Sequence, residues 1–271
     1  MRIKLLTLTT LAAIASASFV YQTAAADRPG YTDTPMLPAG KWHVHDPNRP
    51  VPPIVAPGKT FSDGAPPPSD AVILFNGQDL SKWQGTKGPA PWKVQDGYME
   101  VVPHSGSIRS RDKFGSFQMH LEFAEPTHLR GTSQERGNSG VIIFGLYEVQ
   151  VLDNFNNPTY PDGQCGGLYG QSPPLVNACR PPGEWQTYDI LFESPRWDAD
   201  NHLTRPASVT VIQNGLVLHH KQALLGPTAH RAYGDYKRNT GSEGAIELQE
   251  HENPVRFRNI WIRNIPDEEK P

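Results

Sequence analysis

Gly137-Asn138-Ser139-Gly140, then Val141-Ile142-Ile143-Phe144-Gly145, then Tyr147-Glu148-Val149-Gln150-Val151-Leu152-Asp153, is the stretch from which the fold of this chain can be read. Its first part predicts a buried β-strand entered from a tight Gly/Asn turn. Its second part alternates. Tyr147, Val149 and Val151 share one face, and Glu148 and Gln150 share the other. A strand that buries valines and presents a carboxylate and an amide can form the floor of a polar cleft. Taken alone, the pair also fits an ordinary solvated sheet face.

Outward from this stretch, a second one repeats the chemistry near the C-terminus. In Ala245-Ile246-Glu247-Leu248-Gln249-Glu250-His251, period two puts Gln249 and His251 on one face. If the two strands share a sheet, Glu148, Gln150, Gln249 and His251 converge. A carboxylate, an imidazole and two amides suit either a hard or borderline metal ion or an acid–base pair acting on a sugar.

The chain as a whole bounds what such a site can belong to. Two basic residues, Arg2 and Lys4, precede an apolar run from Leu5 to about Val20, and small residues end at Ala24-Ala25-Ala26. This is the pattern of a secretory signal peptide over residues 1–26, and it predicts a periplasmic or secreted protein. No later segment is apolar enough to span a bilayer. A net charge of −3 gives no reason to expect a nucleic-acid partner. Helix-period patterns of any length are missing, while short alternating runs between Gly, Pro, Asn and Asp dominate. The expected fold is therefore all-β, a sandwich or barrel. Two cysteines, Cys165 and Cys179, are expected to pair in an oxidising compartment. A bridge over a loop of this size contributes about 3 kcal/mol in the chain-entropy description.

Residues 27–70 carry eleven of the 27 prolines and little periodicity. They read as an extended arm laid on the domain, and they include Trp42-His43-Val44-His45. His43 and His45 fit exposed or packed polar residues better than a metal pair, because no third ligand is near in sequence. The domain proper spans residues 71–266. Asp96-Gly97 and Asn214-Gly215 mark tight hairpins. Phe117-Gln118-Met119-His120-Leu121-Glu122-Phe123 alternates cleanly, with Gln118, His120 and Glu122 expected on a solvated face. His219 and His220 read as structural.

Five features occur in order: Leu74-Phe75-Asn76-Gly77-x-Asp79-Leu80-Ser81-x-Trp83, the hairpin with Trp92 and Asp96-Gly97, Gly137-Asn138-Ser139-Gly140-Val141, Tyr147 to Asp153, and Phe257-Arg258-Asn259-Ile260-Trp261. Together they resemble the 3-keto-disaccharide hydrolase family over residues 70–265. Ser116 and Ala245 depart from the pattern usual there. The resemblance implies a concanavalin/laminin-G-type jelly-roll sandwich. It also implies a carbohydrate-active enzyme that cleaves the glycosidic bond of 3-keto sugars, by hydrolysis or by elimination and hydration, with an oligosaccharide or glycoside as partner. In that chemistry His251 is the candidate base. Glu148 is the second catalytic candidate, and Glu148, Gln150 and His251 would hold a divalent ion, calcium or a transition metal, if one is used. Candidates for substrate contact are Gln150, Gln249, Asn138, Tyr169, Trp185 and Arg111. Glu148 and Asp153 fall on opposite strand faces, which counts against a two-carboxylate glycosidase. The alternative is a laminin-G-like module that binds carbohydrate without catalysis. A structural adhesion domain rests on the fold alone.

Overall fold

The computed structural model describes residues 28–59 and 62–266, so the expected signal peptide lies outside the described residues. Two antiparallel sheets carry the domain. The larger runs, in spatial order, β14 (Leu216–Ala223), β13 (Ser208–Gln213), β10 (Gln186–Glu193), β7 (Phe117–Ala124), β18 (Arg256–Asn264), β5 (Tyr98–Glu100) and β4 (Lys93–Gln95). β1 (Val72–Phe75) also pairs with β18. The smaller runs β3 (Gly88–Pro89), β2 (Trp83–Gly85), β6 (Ile108–Ser110), β17 (Ile246–Leu248), β8 (Ser139–Ile143) and β9 (Tyr147–Val151). Two short hairpins, β11–β12 (Arg196–Trp197, Leu203–Arg205) and β15–β16 (Thr228–Ala229, Ala232–Tyr233), complete the set. This is the expected jelly-roll sandwich. Among the described residues no helix is long and apolar enough to cross a membrane.

The alternation read from sequence sets the core. Phe117, Met119, Leu121 and Phe123 point inward from β7, and Val141, Ile143, Val149 and Val151 meet them from the other sheet. The two predicted tight turns form with positive φ at Asp96 and Gly97, and at Asn214 and Gly215, as the right-handed twist of the flanking strands demands.

The arm lies along the sandwich. Pro53 and Val55 exchange backbone hydrogen bonds with Asn177. The Arg180 guanidinium donates to Asp63 and to the carbonyls of Gly58 and Lys59. This docking corrects the expectation for His120 and Glu122. Both point away from the core, yet both are fully buried, because residues 62–65 cover them. Ser62 donates to Asp189, the Gly64 N–H to Glu122, and Asn259 to the Ala65 carbonyl. His120 sits between Asp189 (2.7 Å) and Glu122 (3.6 Å). Burial alone would lower its pKa, but the hydrogen bond with Asp189 and the charge of both carboxylates outweigh that and push it up to about 9. Glu122 is the converse. Burial would raise it, but the nearby His120 and hydrogen bonds from Asn259, Arg258 and Gly64 bring it down to about 2.

The signs follow by linkage. The His120 contribution is fully present below 6.5 and is lost as pH rises through about 9. The Glu122 contribution is present above 4.5 and is lost as pH falls through about 2. Trypsin is therefore expected to cut at Lys59 faster at pH 9.5 than at pH 7, relative to an unstructured peptide control. Equal protection at both pH values would show that this network does not clamp the arm.

Cys165 and Cys179 stand as separate thiols and not as the expected bridge. They are nonetheless neighbours: Gln213 Nε2 lies 3.5 Å from one sulfur and 3.8 Å from the other. Burial opposes ionisation of Cys165, but hydrogen bonds from Cys179 and Tyr188 hold its pKa below the ordinary thiol value.

Candidate active site

The smaller sheet builds the site through its register. Glu148 of β9 is opposite Ile142 of β8, and Ile142 is opposite Glu247 of β17, so the two carboxylates share one row on the outer face. In the next row Gln150 is opposite Gly140, and the Gln249 N–H donates to the Gly140 carbonyl. Gln249 thus continues the β17 alternation one residue past the strand. The strand itself has ended by His251, which is exposed at the mouth.

Around these rows lies a cleft of about 440 Å³ lined by Glu148, Gln150, Gln249, His251, Asn138 and Tyr169, all six expected from sequence. Gln134, Tyr160, Thr228, His230 and, from the arm, Tyr31 line it as well. His251 also borders an adjoining depression of about 720 Å³ with His128, Arg130 and Glu135, so it stands where two spaces meet. Asn138 Oδ1 and Gln249 Oε1 have no partner within the protein. Orphan acceptors beside a cleft suit a ligand rich in hydroxyl groups.

Glu148 is the chemically unusual member. It is buried, and burial first, with the nearby Glu247 charge second, pushes its pKa up to about 8. It holds its proton at neutral pH. With its amide nitrogen turned toward the strand, Gln150 donates to Ser139 O (3.0 Å) and Glu148 Oε1 (3.1 Å). Gly140 makes room for the carboxyl, since a Cβ built there would fall 2.6 Å from Glu148 Oε1. Gly140→Ala is therefore expected to keep the sandwich folded, alanine being tolerated in a strand. It should displace the Glu148 carboxyl and lower turnover at least about tenfold. Thermal unfolding and kcat measured together check this, and unchanged kcat would contradict it.

Two expected residues lie elsewhere. Trp185 precedes β10 of the larger sheet, where the Arg258 guanidinium lies 4.0 Å from its ring centroid and Arg256 5.4 Å. Arg111 is exposed and donates to the Ser81 carbonyl. Asp153 is paired with Arg136 at 2.9 Å, so it is committed away from the cleft. Among the described residues, Asp198, Asp200 and His202 are the group of acidic or His ligands whose donor atoms gather within 4.8 Å. They are exposed, in the β11–β12 turn. Of the expected set, Glu148 and Gln150 lie in adjacent rows of the smaller sheet, while His251 is exposed past the end of β17.

Sequence reasoning missed the wall formed by Tyr31, Tyr160, His230 and, behind it, His45 and Asp162. The His45 ring centroid is 4.1 Å from Tyr160 and 4.7 Å from Tyr169. These residues come from the arm and from loops, where no periodicity reports a face. The Trp42-His43-Val44-His45 cluster in a proline-rich segment was the one available signal. His219 is structural as read: it is buried with its Nε2 2.9 Å from the Gly166 carbonyl.

The family description "3-keto-alpha-glucoside-1,2-lyase-like domain" matches residues 70–263. A Bacteroides thetaiotaomicron protein named "3-keto-disaccharide hydrolase" is 24% identical over 230 residues, 71% of this chain and 77% of that protein. A crystal structure from Parabacteroides distasonis, described as a "putative glycosyl hydrolase", is 48% identical with a TM-score of 0.71, covering 80% of this chain and 93% of that one. Another from the same organism, 18% identical with a TM-score of 0.53 over 73% and 94% of the two chains, shares the fold. The chain belongs to the family of the 3-keto-alpha-glucoside-1,2-lyase-like domain.

Proposed function

We propose that the cleft cleaves the glycosidic bond of a 3-keto sugar by elimination followed by hydration. The observation that carries this reading is the pairing of a buried carboxyl kept protonated to about pH 8 with an imidazole at the rim of the same polar cleft. The names of the relatives support the carbohydrate class. A ketone at C3 acidifies the C2 proton. His251 removes that proton, and the enolate oxygen takes hydrogen bonds from cleft donors. The enolate then re-forms the C3 carbonyl, makes a C1–C2 double bond and expels the C1 oxygen, which receives a proton from Glu148. Water adds across the double bond, with hydroxyl to C1 and hydrogen to C2. The sum is hydrolysis.

A divalent ion at Glu148, Gln150 and His251 would have to displace the Glu148 proton, and its chemistry would be Lewis-acid polarisation of the ketone. Turnover of a 3-keto nitrophenyl glycoside, with and without chelator, tests both statements. Release of nitrophenol that chelator leaves unchanged is expected. Loss of turnover on chelation would transfer the electrophile's role to a metal, and no release at all would leave the carbohydrate-binding alternative.

A further inference from the structure

His45 is wholly buried behind the cleft wall with its backbone in the left-handed region, φ 58°. A non-glycine residue persists there only when its surroundings over-determine it. Asp162, equally buried, does so. Its Oδ2 accepts the His45 backbone N–H at 2.9 Å, and its Oδ1 faces His45 Nδ1 at 2.9 Å. Clamped through Nδ1, the ring has only Nε2 left, and that atom has no partner. The ring packs instead on Tyr160 and Tyr169.

Those two phenols line the cleft and touch each other. Their hydroxyl oxygens are 2.7 Å apart, and Tyr169 Oη is 3.2 Å from His230 Nδ1. Burial pushes both pKa values up, Tyr169 to about 12 and Tyr160 further, so both keep their protons. With Tyr160 donating to Tyr169, the Tyr169 proton is directed onward, to His230 or to an oxygen in the cleft.

We propose that His45, clamped by Asp162, is a positioning residue of the arm that holds Tyr160 and Tyr169 so that the Tyr169 hydroxyl donates a hydrogen bond to a substrate oxygen. The proposal rests on the reading of the cleft as a site of glycoside cleavage. It brings into the working site a segment outside the family match of residues 70–263. The effect is a hydrogen bond to developing negative charge, with no proton transferred.

The test is a double-mutant cycle in the full chain with His45→Asn and Tyr169→Phe. Asparagine can keep a nitrogen donor toward Asp162 and tolerates positive φ, so the clamp survives while the ring is lost. Each single variant is expected to lower kcat on a 3-keto nitrophenyl glycoside by about 10²-fold, with KM changed less than about threefold. The double variant should be no worse than the poorer single one, because both act through one hydroxyl. Losses that multiply, or a Tyr169→Phe variant with unchanged kcat, overturn the proposal. Should the parent fail to turn over any 3-keto glycoside, the functional reading is what has failed. The positioning role is then read without ligand, from ¹³Cζ-tyrosine resonances with Tyr169 assigned by its loss in Tyr169→Phe. A Tyr169 signal that moves in His45→Asn supports the positioning role, and one that does not move overturns it.

Discussion

Replacing Glu148 by glutamine is expected to lower turnover of a 3-keto glycoside by about 10²–10⁴-fold while the sandwich stays folded. Glutamine keeps the shape and a hydrogen-bond donor, so a site needing only a neutral donor would lose little. A site needing a proton for the leaving oxygen loses its acid. The pH profile separates these roles. With Glu148 pushed up to about 8 by burial and by Glu247, parent kcat should fall above about pH 8, and the variant should lack that limb. Stability supplies a control of opposite sign. A carboxyl at 4.5 when unfolded and about 8 when folded makes the native state bind more protons in between, so stability declines as pH rises through that window. Glu148→Gln should flatten this decline. A variant with parental kcat and the same alkaline limb would remove Glu148 from the mechanism.

His251→Ala is expected to cost a similar factor, about 10²–10⁴ in kcat, through loss of the general base. Its fold should survive because the side chain is exposed and buries little area. The local turn is held without the ring, since Asn253 Nδ2 donates to the His251 backbone carbonyl at 2.7 Å. The rim position makes a second outcome specific to a base: added imidazole should restore part of the lost turnover. KM should change little, because the orphan acceptors Asn138 and Gln249 remain to bind hydroxyl groups. Full turnover by His251→Ala would end the base assignment and leave the family membership untouched. A module that only binds carbohydrate predicts that both variants bind as the parent does.

The site was legible where it is built on strands. Period two assigned Glu148, Gln150 and Gln249 to one face, and the pairing of β17, β8 and β9 brought those faces into one surface. Trp185 was expected to contact substrate as an aromatic platform, but it precedes β10 of the larger sheet, and residue type does not say which sheet carries it. His120 and Glu122 show a limit of the period-two rule. Their outward direction was correct, but the arm covers that face, so an apparently solvated pair is a buried ionic network. Of the tyrosine wall only Tyr169 was anticipated; Tyr31 and Tyr160 were illegible, because they reach the cleft through loop geometry and hydrogen bonds between residues more than a hundred positions apart, such as His45 with Asp162.

Sequence by itself determined the class of fold, the hairpin turns, the inward face of the core strands and the polar face of the site. Each of these follows from backbone stereochemistry and burial, which act over a few neighbouring residues. Only the tertiary structure decided that Glu148 keeps its proton, that Gly140 is the space its carboxyl occupies, and that an N-terminal arm supports the cleft wall. Desolvation, charge proximity and steric room depend on which distant segments pack around a group, and no local pattern encodes them.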